Sequence, residues 1–256
     1  MGKPPLEGAP AKARPTRTRF LVLGWLCAAA ALAYVSRNAI AVAESTVRGD
    51  LGLTKEQSGW LMSAFFFSYA LMSIPAAQFA QRGGSRRALP LFATVWSMAT
   101  ALFALVSGIG TAIAARIVQG IAQAGLVPAA TVTMAKWFPI TGRAFAAGAL
   151  GSFMSVGGAL CAWLTGVLLE TLEPRVGPSW NWRLTFLLFA VPGLAWAVWF
   201  RNWFRDEPGG HRAVNEAELE LILGHPAPRA AGYMFSARTA DPAHEPLPLT
   251  PSLSPI

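Results

Sequence analysis

Long apolar runs alternate with short polar connections along most of this chain. A bilayer core of about 30 Å needs roughly 20 apolar residues in a helix, and six runs meet that length: 20–42, 59–80, 88–106, 111–135, 145–169 and 182–203. The short connections predict that consecutive helices run antiparallel. Pro75, Pro128 and Pro192 fall inside the second, fourth and sixth runs, where a proline frees a backbone carbonyl that a neighbour or a polar cavity must satisfy. In the fifth run Gly148, Gly151, Ser152, Ser155, Gly158, Ala159, Ala162 and Gly166 repeat the small-xxx-small spacing that lets membrane helices approach closely. Beyond Leu223 the periodicity stops, and the proline-rich stretch 224–256 reads as a disordered tail. The expected organisation is a basic N-terminus (1–19), a six-helix membrane domain (20–203), a segment after the sixth helix (204–223) and that tail.

Composition sharpens this reading. Of 256 residues 54% are hydrophobic and 13% charged, against about 25% charged in soluble domains. The formal net charge of +8 would suggest nucleic acid in a soluble protein. Here the arginines sit beside the spans, and no basic face alternates with stacking aromatics, so nucleic acid is not an expected partner. One side collects Lys3, Lys12, Arg14, Arg17, Arg19, Arg82, Arg86, Arg87, Lys136, Arg143, Arg201, Arg205 and Arg212; the other has Arg48, Lys55, Arg175 and Arg183. The excess of basic residues predicts that both ends of the membrane domain are cytoplasmic, in a multi-pass protein of the cell membrane. Trp180, Trp182, Trp199 and Trp203 read as interfacial anchors. Cys27 and Cys161 lie in apolar runs without metal-ligand spacing and read as reduced packing residues. The first run is too long for a cleavable signal and is interrupted by Arg37.

Two charged residues lie well inside the spans, Arg37 and Arg116. An arginine at a helix centre costs about 2.5–3.5 kcal/mol on insertion scales, so each needs a reason. Snorkelling to the outer interface is one. The neighbours suggest another: Tyr34, Arg37 and Asn38 share a face of the first span, and Arg116, Gln119, Gln123 and Thr131 fall on a common side of the fourth. No carboxylate lies inside a span, and an anionic ligand between two buried cations would relieve their cost.

Several segments carry a resemblance to the major facilitator superfamily, in its anion:cation symporter branch. Tyr34-Val35-Ser36-Arg37-Asn38 resembles a first-helix motif in which a tyrosine and an arginine line the substrate cavity. Leu51 to Thr54, with Ser63-Ala64-Phe65 and Tyr69, is similar to the entry of the second helix. Arg116-Ile117-Val118-Gln119-Gly120 resembles the fourth-helix arginine motif, and Trp137-Phe138-Pro139 with Arg143 the following loop. The stretch from His211 to Leu219 is similar to the segment after the sixth helix. The resemblance implies an all-α integral membrane fold, a six-helix bundle of two inverted three-helix repeats forming half of a twelve-helix transporter, with substrate bound between two such halves. The first and fourth helices are equivalent members of the repeats, so Arg37 and Arg116 would both line the cavity.

The departures from the family's pattern are specific. Proton-coupled members often carry an acid where this chain has Ser36, and a glutamate in the fourth helix where it has Gln123. Gln81 replaces an aspartate of the loop after the second helix, and Met154 a polar residue of the fifth. These argue against proton symport through this half and against a sugar acid as substrate.

The sequence therefore predicts transport of a small organic anion (a sugar acid, carboxylate or phosphate ester) by alternating access, as a truncated or half transporter and without a cofactor. Arg37 and Arg116 would hold the anion, with Tyr34, Asn38, Tyr69, Gln119 and Gln123 shaping its site. The expected partners are the anion, the lipid bilayer and a second six-helix half or a second copy of the chain. The alternative is a non-transporting membrane remnant or assembly subunit. An enzyme is not expected: His211, His225 and His244 lie outside the spans and no catalytic grouping is recognisable.

Overall fold

The computed structural model describes residues 14–224; Lys3, Lys12, His225, His244 and the prolines of the expected tail lie outside them. All regular structure among the described residues is helical: α1 (Thr18–Val42), α2 (Glu44–Leu51), α3 (Lys55–Gly83), α4 (Ser85–Phe103), α5 (Ile109–Gln123), α6 (Leu126–Trp137), α7 (Arg143–Val176), α8 (Pro178–Trp203) and α9 (Glu216–Leu223). The protein is a multi-pass membrane protein built on a six-helix bundle. Five crossings are long and apolar enough by themselves, α5 and α6 together making one. The sixth is α4, which is 19 residues long and opens on Arg86 and Arg87, so charge at its end dilutes its apolar character.

The main packing pairs are α1 with α7, α3 with α5, and α4 with α8. A two-fold that superposes the first three crossings on the last three exchanges the first two pairs and returns the third to itself, as two inverted repeats require. Each pair closes on a glycine or a small side chain. A Cβ at Gly157 of α7 would stand 2.5 Å from the Ala31 carbonyl oxygen of α1, and one at Gly120 of α5 would stand 2.5 Å from the Phe65 carbonyl oxygen of α3. At Gly193 of α8 it would meet Ser97 of α4. The glycine that matters in the fifth span is thus Gly157, beside the predicted stripe; Gly148, Gly151 and Gly166 face open space. Large apolar side chains, including Phe67, Leu71 and Ile74 of α3 and Trp163 of α7, lie exposed on the outside of the bundle.

Proline acts differently at its three expected positions. Pro75 and Pro192 lie within continuous helices, whereas the fourth span breaks into α5 and α6 at Ala124–Gly125. Pro128, which has no N–H to offer, leaves the Ala124 carbonyl without its usual donor and crowds it. The ring of Phe92 packs where a side chain on Gly125 would stand. Thr131 of α6 is exposed and bonds its own turn at the Val127 carbonyl, 3.0 Å away.

The two ends of the bundle are fastened separately. At one end Asp50 of α2, a short helix the hydropathy pattern does not reveal, accepts from Trp182 Nε1 at 3.1 Å and Arg183 Nη2 at 3.0 Å. Arg183 Nη1 also donates to the Ala104 and Val106 carbonyls, each at 2.9 Å, closing α4 onto α8. Trp182 is fully buried and is therefore a core residue, not an interfacial anchor; Trp180 and Trp199 are exposed. At the other end Asp206 accepts from the Arg86 N–H at 3.0 Å and Lys136 pairs with Glu207 at 2.6 Å. Cys27 and Cys161 are free and buried.

Two outcomes test this packing. Gly157→Leu or Gly120→Leu, by driving a side chain into a neighbouring backbone, destabilises the protein by about 1–3 kcal/mol or more. Gly148→Ala, which meets open space, is neutral or gains up to about 1 kcal/mol of helix propensity; thermal unfolding in detergent compares them. The second concerns pH. Burial would raise the Asp50 carboxyl, but hydrogen bonds from Ser179, Arg183 and Trp182 and the charge of Arg183 outweigh it and hold the group below the ordinary carboxylate range. Its unfolded form therefore binds a proton more readily, so its contribution is full above about pH 4 and is lost as the pH falls below that. Asp50→Asn lowers stability at pH 7 and loses this part of the acid dependence, read from unfolding midpoints between pH 7 and 3.

Candidate functional site

Arg116 is positioned by α5, whose close approach to α3 at Gly120 brings the Phe65 ring under the guanidinium, 4.6 Å from Cζ to the ring centroid. Arg116 is 2% exposed. Its Nη1 donates to Gln119 Oε1 at 2.6 Å and to the Arg37 carbonyl at 3.4 Å. A hydrogen bond to a charged group is worth about 1.5–3 kcal/mol, the size needed to offset the insertion cost of about 2.5–3.5 kcal/mol.

Arg37 is held in another way. It is half-buried on α1, and its Cζ lies 4.7 Å from the Tyr34 ring, 5.2 Å from Phe65, 5.2 Å from Phe66 and 5.6 Å from Tyr69. Aromatic faces stabilise a guanidinium through its flat side and leave the N–H donors at its edge unspent. Phe65, fully buried, serves both arginines. Sharing one ring puts the two charges no more than about 10 Å apart, where they repel by at least about 1.7 kcal/mol at an effective dielectric constant of about 20. Among the described residues no carboxylate pairs with either arginine. The Nε of Arg37 and the Nε of Arg116 are both buried without a hydrogen-bond partner. Each arginine therefore keeps an unspent donor as well as an uncompensated charge.

The glutamines connect helices. Gln119 Nε2 donates to the Ser36 carbonyl at 3.2 Å and to Thr100 Oγ1 at 3.0 Å, joining α5 to α1 and α4. Gln123 Nε2 donates to the Ala33 carbonyl and to Ser36 Oγ, each at 3.1 Å. Ser36 and Gln123, the two positions at which the family pattern suggested acids, thus touch as an uncharged pair. Tyr34 and Tyr69 stand with the arginines. Asn38 does not join the network: its amide faces Gly158 of α7, 3.5 Å from where a Cβ there would lie.

Phe65, Phe66 and Thr100 belong to the arrangement although no polar or charged signature marks them. The spacing of Phe65 and Tyr69, one turn apart on α3, was the available signal; their rings stack at 6.0 Å. Thr100 had none.

Comparison with known proteins places the chain. The sequence profile of the Major Facilitator Superfamily matches residues 26–252. A probable sulfoacetate transporter of Cupriavidus necator is 31% identical, over 80% of this chain and 46% of its own length. A D-galactonate transporter of Escherichia coli is 32% identical, over 82% of this chain and 47% of its own length. The chain spans about half the length of the curated relatives it matches. Among solved structures, an inward-facing bacterial homologue of the human lysosomal transporter Spinster is 25% identical with a TM-score of 0.67, covering 76% of this chain and 45% of its own. The proton:xylose symporter bound to a bromodeoxyglucose, 14% identical with a TM-score of 0.62 over 80% of this chain and 50% of its own, shares the fold.

The polar core carries its own test. Gln119→Leu strips Arg116 of its shortest hydrogen bond and leaves Thr100 and the Ser36 carbonyl short of a donor. It lowers stability by about 2–4 kcal/mol, whereas Gln119→Glu keeps the acceptor for Arg116; unfolding midpoints of the two variants compare them.

Proposed function

This chain belongs to the major facilitator superfamily, and from that premise we propose that it takes part in transport of a small organic anion by alternating access. Arg37 and Arg116 hold the anion by charge-assisted hydrogen bonds. Tyr34 and Tyr69 shape the site beside Arg37, Asn38 turns instead toward α7, and Gln119 and Gln123 orient the arginine-bearing helices. The observation that carries this reading is the pair of guanidinium groups against the Phe65 ring, each with a buried, unpartnered Nε and, among the described residues, no carboxylate to neutralise it. The named transport of sulfoacetate and D-galactonate by relatives supports an organic anion as the class.

A second six-helix half, or a second copy of this chain, completes the cavity in this proposal, since the relatives are about twice as long as the matched region. The end that gathers Arg17, Arg86, Lys136, Arg143 and Arg205 faces the cytoplasm of a cell-membrane protein. The uncharged contact of Ser36 with Gln123 supports transport without a proton carried by this part of the protein.

In liposomes reconstituted with the purified chain, sulfoacetate and D-galactonate binding falls about 10- to 100-fold for Arg37→Ala and for Arg116→Ala. Arg37→Lys restores only part of it, because an ammonium lacks the planar fork. Unchanged binding and uptake of both anions in Arg37→Ala would remove the site, and failure of the wild-type chain to bind either would remove this substrate class.

A further inference from the structure

The segment after the last span is a family-like stretch that the arginine site leaves without a role. It crosses one end of the bundle and is bonded to three of the spans it passes, to α4 where Asp206 accepts from the Arg86 N–H at 3.0 Å and to the two ends described next. On one side it holds the end of α6. Trp137 Nε1 donates to the Arg205 carbonyl at 3.2 Å, and the Trp137 ring lies 5.9 Å from Phe204 and 5.7 Å from His211. Next to it Lys136 pairs with Glu207 at 2.6 Å.

On the other side it holds the start of α1. The N-cap residue of that helix is Arg17, whose side chain caps nothing. The cap comes from α9: Glu218, fully buried, accepts from the Thr18 N–H and the Arg19 N–H, both at 3.1 Å, and from the Thr16 hydroxyl. A carboxylate is well placed at a helix N-terminus, where it meets both free N–H groups and the positive end of the helix dipole. Asn215 works in both directions. Its Oδ1 caps α9 by accepting from the Glu218 N–H at 2.9 Å and also takes the Thr16 N–H at 3.2 Å, while its Nδ2 donates to the Arg14 carbonyl at 2.7 Å. Thr18 Oγ1 returns a bond to the Ala213 carbonyl at 2.8 Å.

The two helix ends gripped in this way belong to the spans that carry Arg37 and Arg116. We propose that residues 204–223 are a strap that fixes the spacing of these two spans at the end where they are gripped, with Glu218 as its fastening. Under this arrangement α1 and α6 move as one piece, and that end of the cleft does not open by their separation. Glu218 is a positioning residue, acting through the backbone of α1. The proposal does not rest on the anion reading, because the contacts exist whatever the cleft binds.

Amide hydrogen exchange of the full chain in lipid nanodiscs tests the strap without any ligand. Glu218→Ala speeds exchange of the first turn of α1 by about tenfold, as loss of a cap predicts, and also speeds the distant end of α6 at residues 133–138. Glu218→Gln, which keeps an acceptor oxygen but not the charge, falls between. Faster exchange confined to α1 makes Glu218 a local cap and overturns the strap; no change at either end overturns it as well. Should Glu218→Ala fail to fold, a protease site inserted at Gly209–Gly210 is cut after the protein has folded. The strap then predicts faster exchange at both helix ends in the cut protein, and unchanged exchange refutes it.

Discussion

A guanidinium buried in an apolar bundle without a counter-charge sets the terms for the rest of this structure. Arg116 is kept in place by a hydrogen bond to Gln119 and by the face of Phe65, and each partner imposes a further condition. Phe65 reaches the arginine only because Gly120 lets α5 lie against the backbone of α3. Gln119 can offer its oxygen only because its nitrogen is occupied by Ser36 and Thr100. The spacing of four helices therefore follows from accommodating one charge. Arg37, stabilised through its ring contacts, adds a second charge to the same place.

The sequence disclosed the crossings and the two arginines because both depend on properties that single residues report: transfer free energy along a run, and a charge where none is expected. The order of the helices and the faces shared by Tyr34 and Arg37, or by Arg116 and Gln119, followed from helical periodicity. What it did not disclose depends on partners distant in the chain. Trp182 resembles an interfacial anchor until Asp50, 132 residues earlier, is found bonded to its indole. Gly157 is indistinguishable from Gly148 by spacing, and only the position of Ala31 separates them. Phe65 is one phenylalanine among three in a row, and its contact with both cations depends on the approach of α5. Thr131, at the edge of the polar arc that periodicity predicts, is exposed and bonds only its own turn.

The inverted repeat gives the arginine pair a simple geometric origin. The first and fourth crossings are equivalent under the two-fold that exchanges the packing pairs, so a cation on each comes to a similar depth beside the same ring. The repeat is approximate where it matters chemically. Arg116 is almost fully enclosed and hydrogen-bonded, whereas Arg37 is half-buried and held by four aromatic rings. One member of the pair is held by hydrogen bonds and the other by ring faces, a difference that the symmetry alone would not produce.

The cap on α1 has a consequence for how the chain is made. α1 is closed by a carboxylate 200 positions later in the sequence. Until the sixth crossing has entered the bilayer, its leading amides are left to water or to lipid headgroups. Synthesis of α9 is thus recorded at the first turn of α1, whose amides gain their acceptor only once Glu218 has been made.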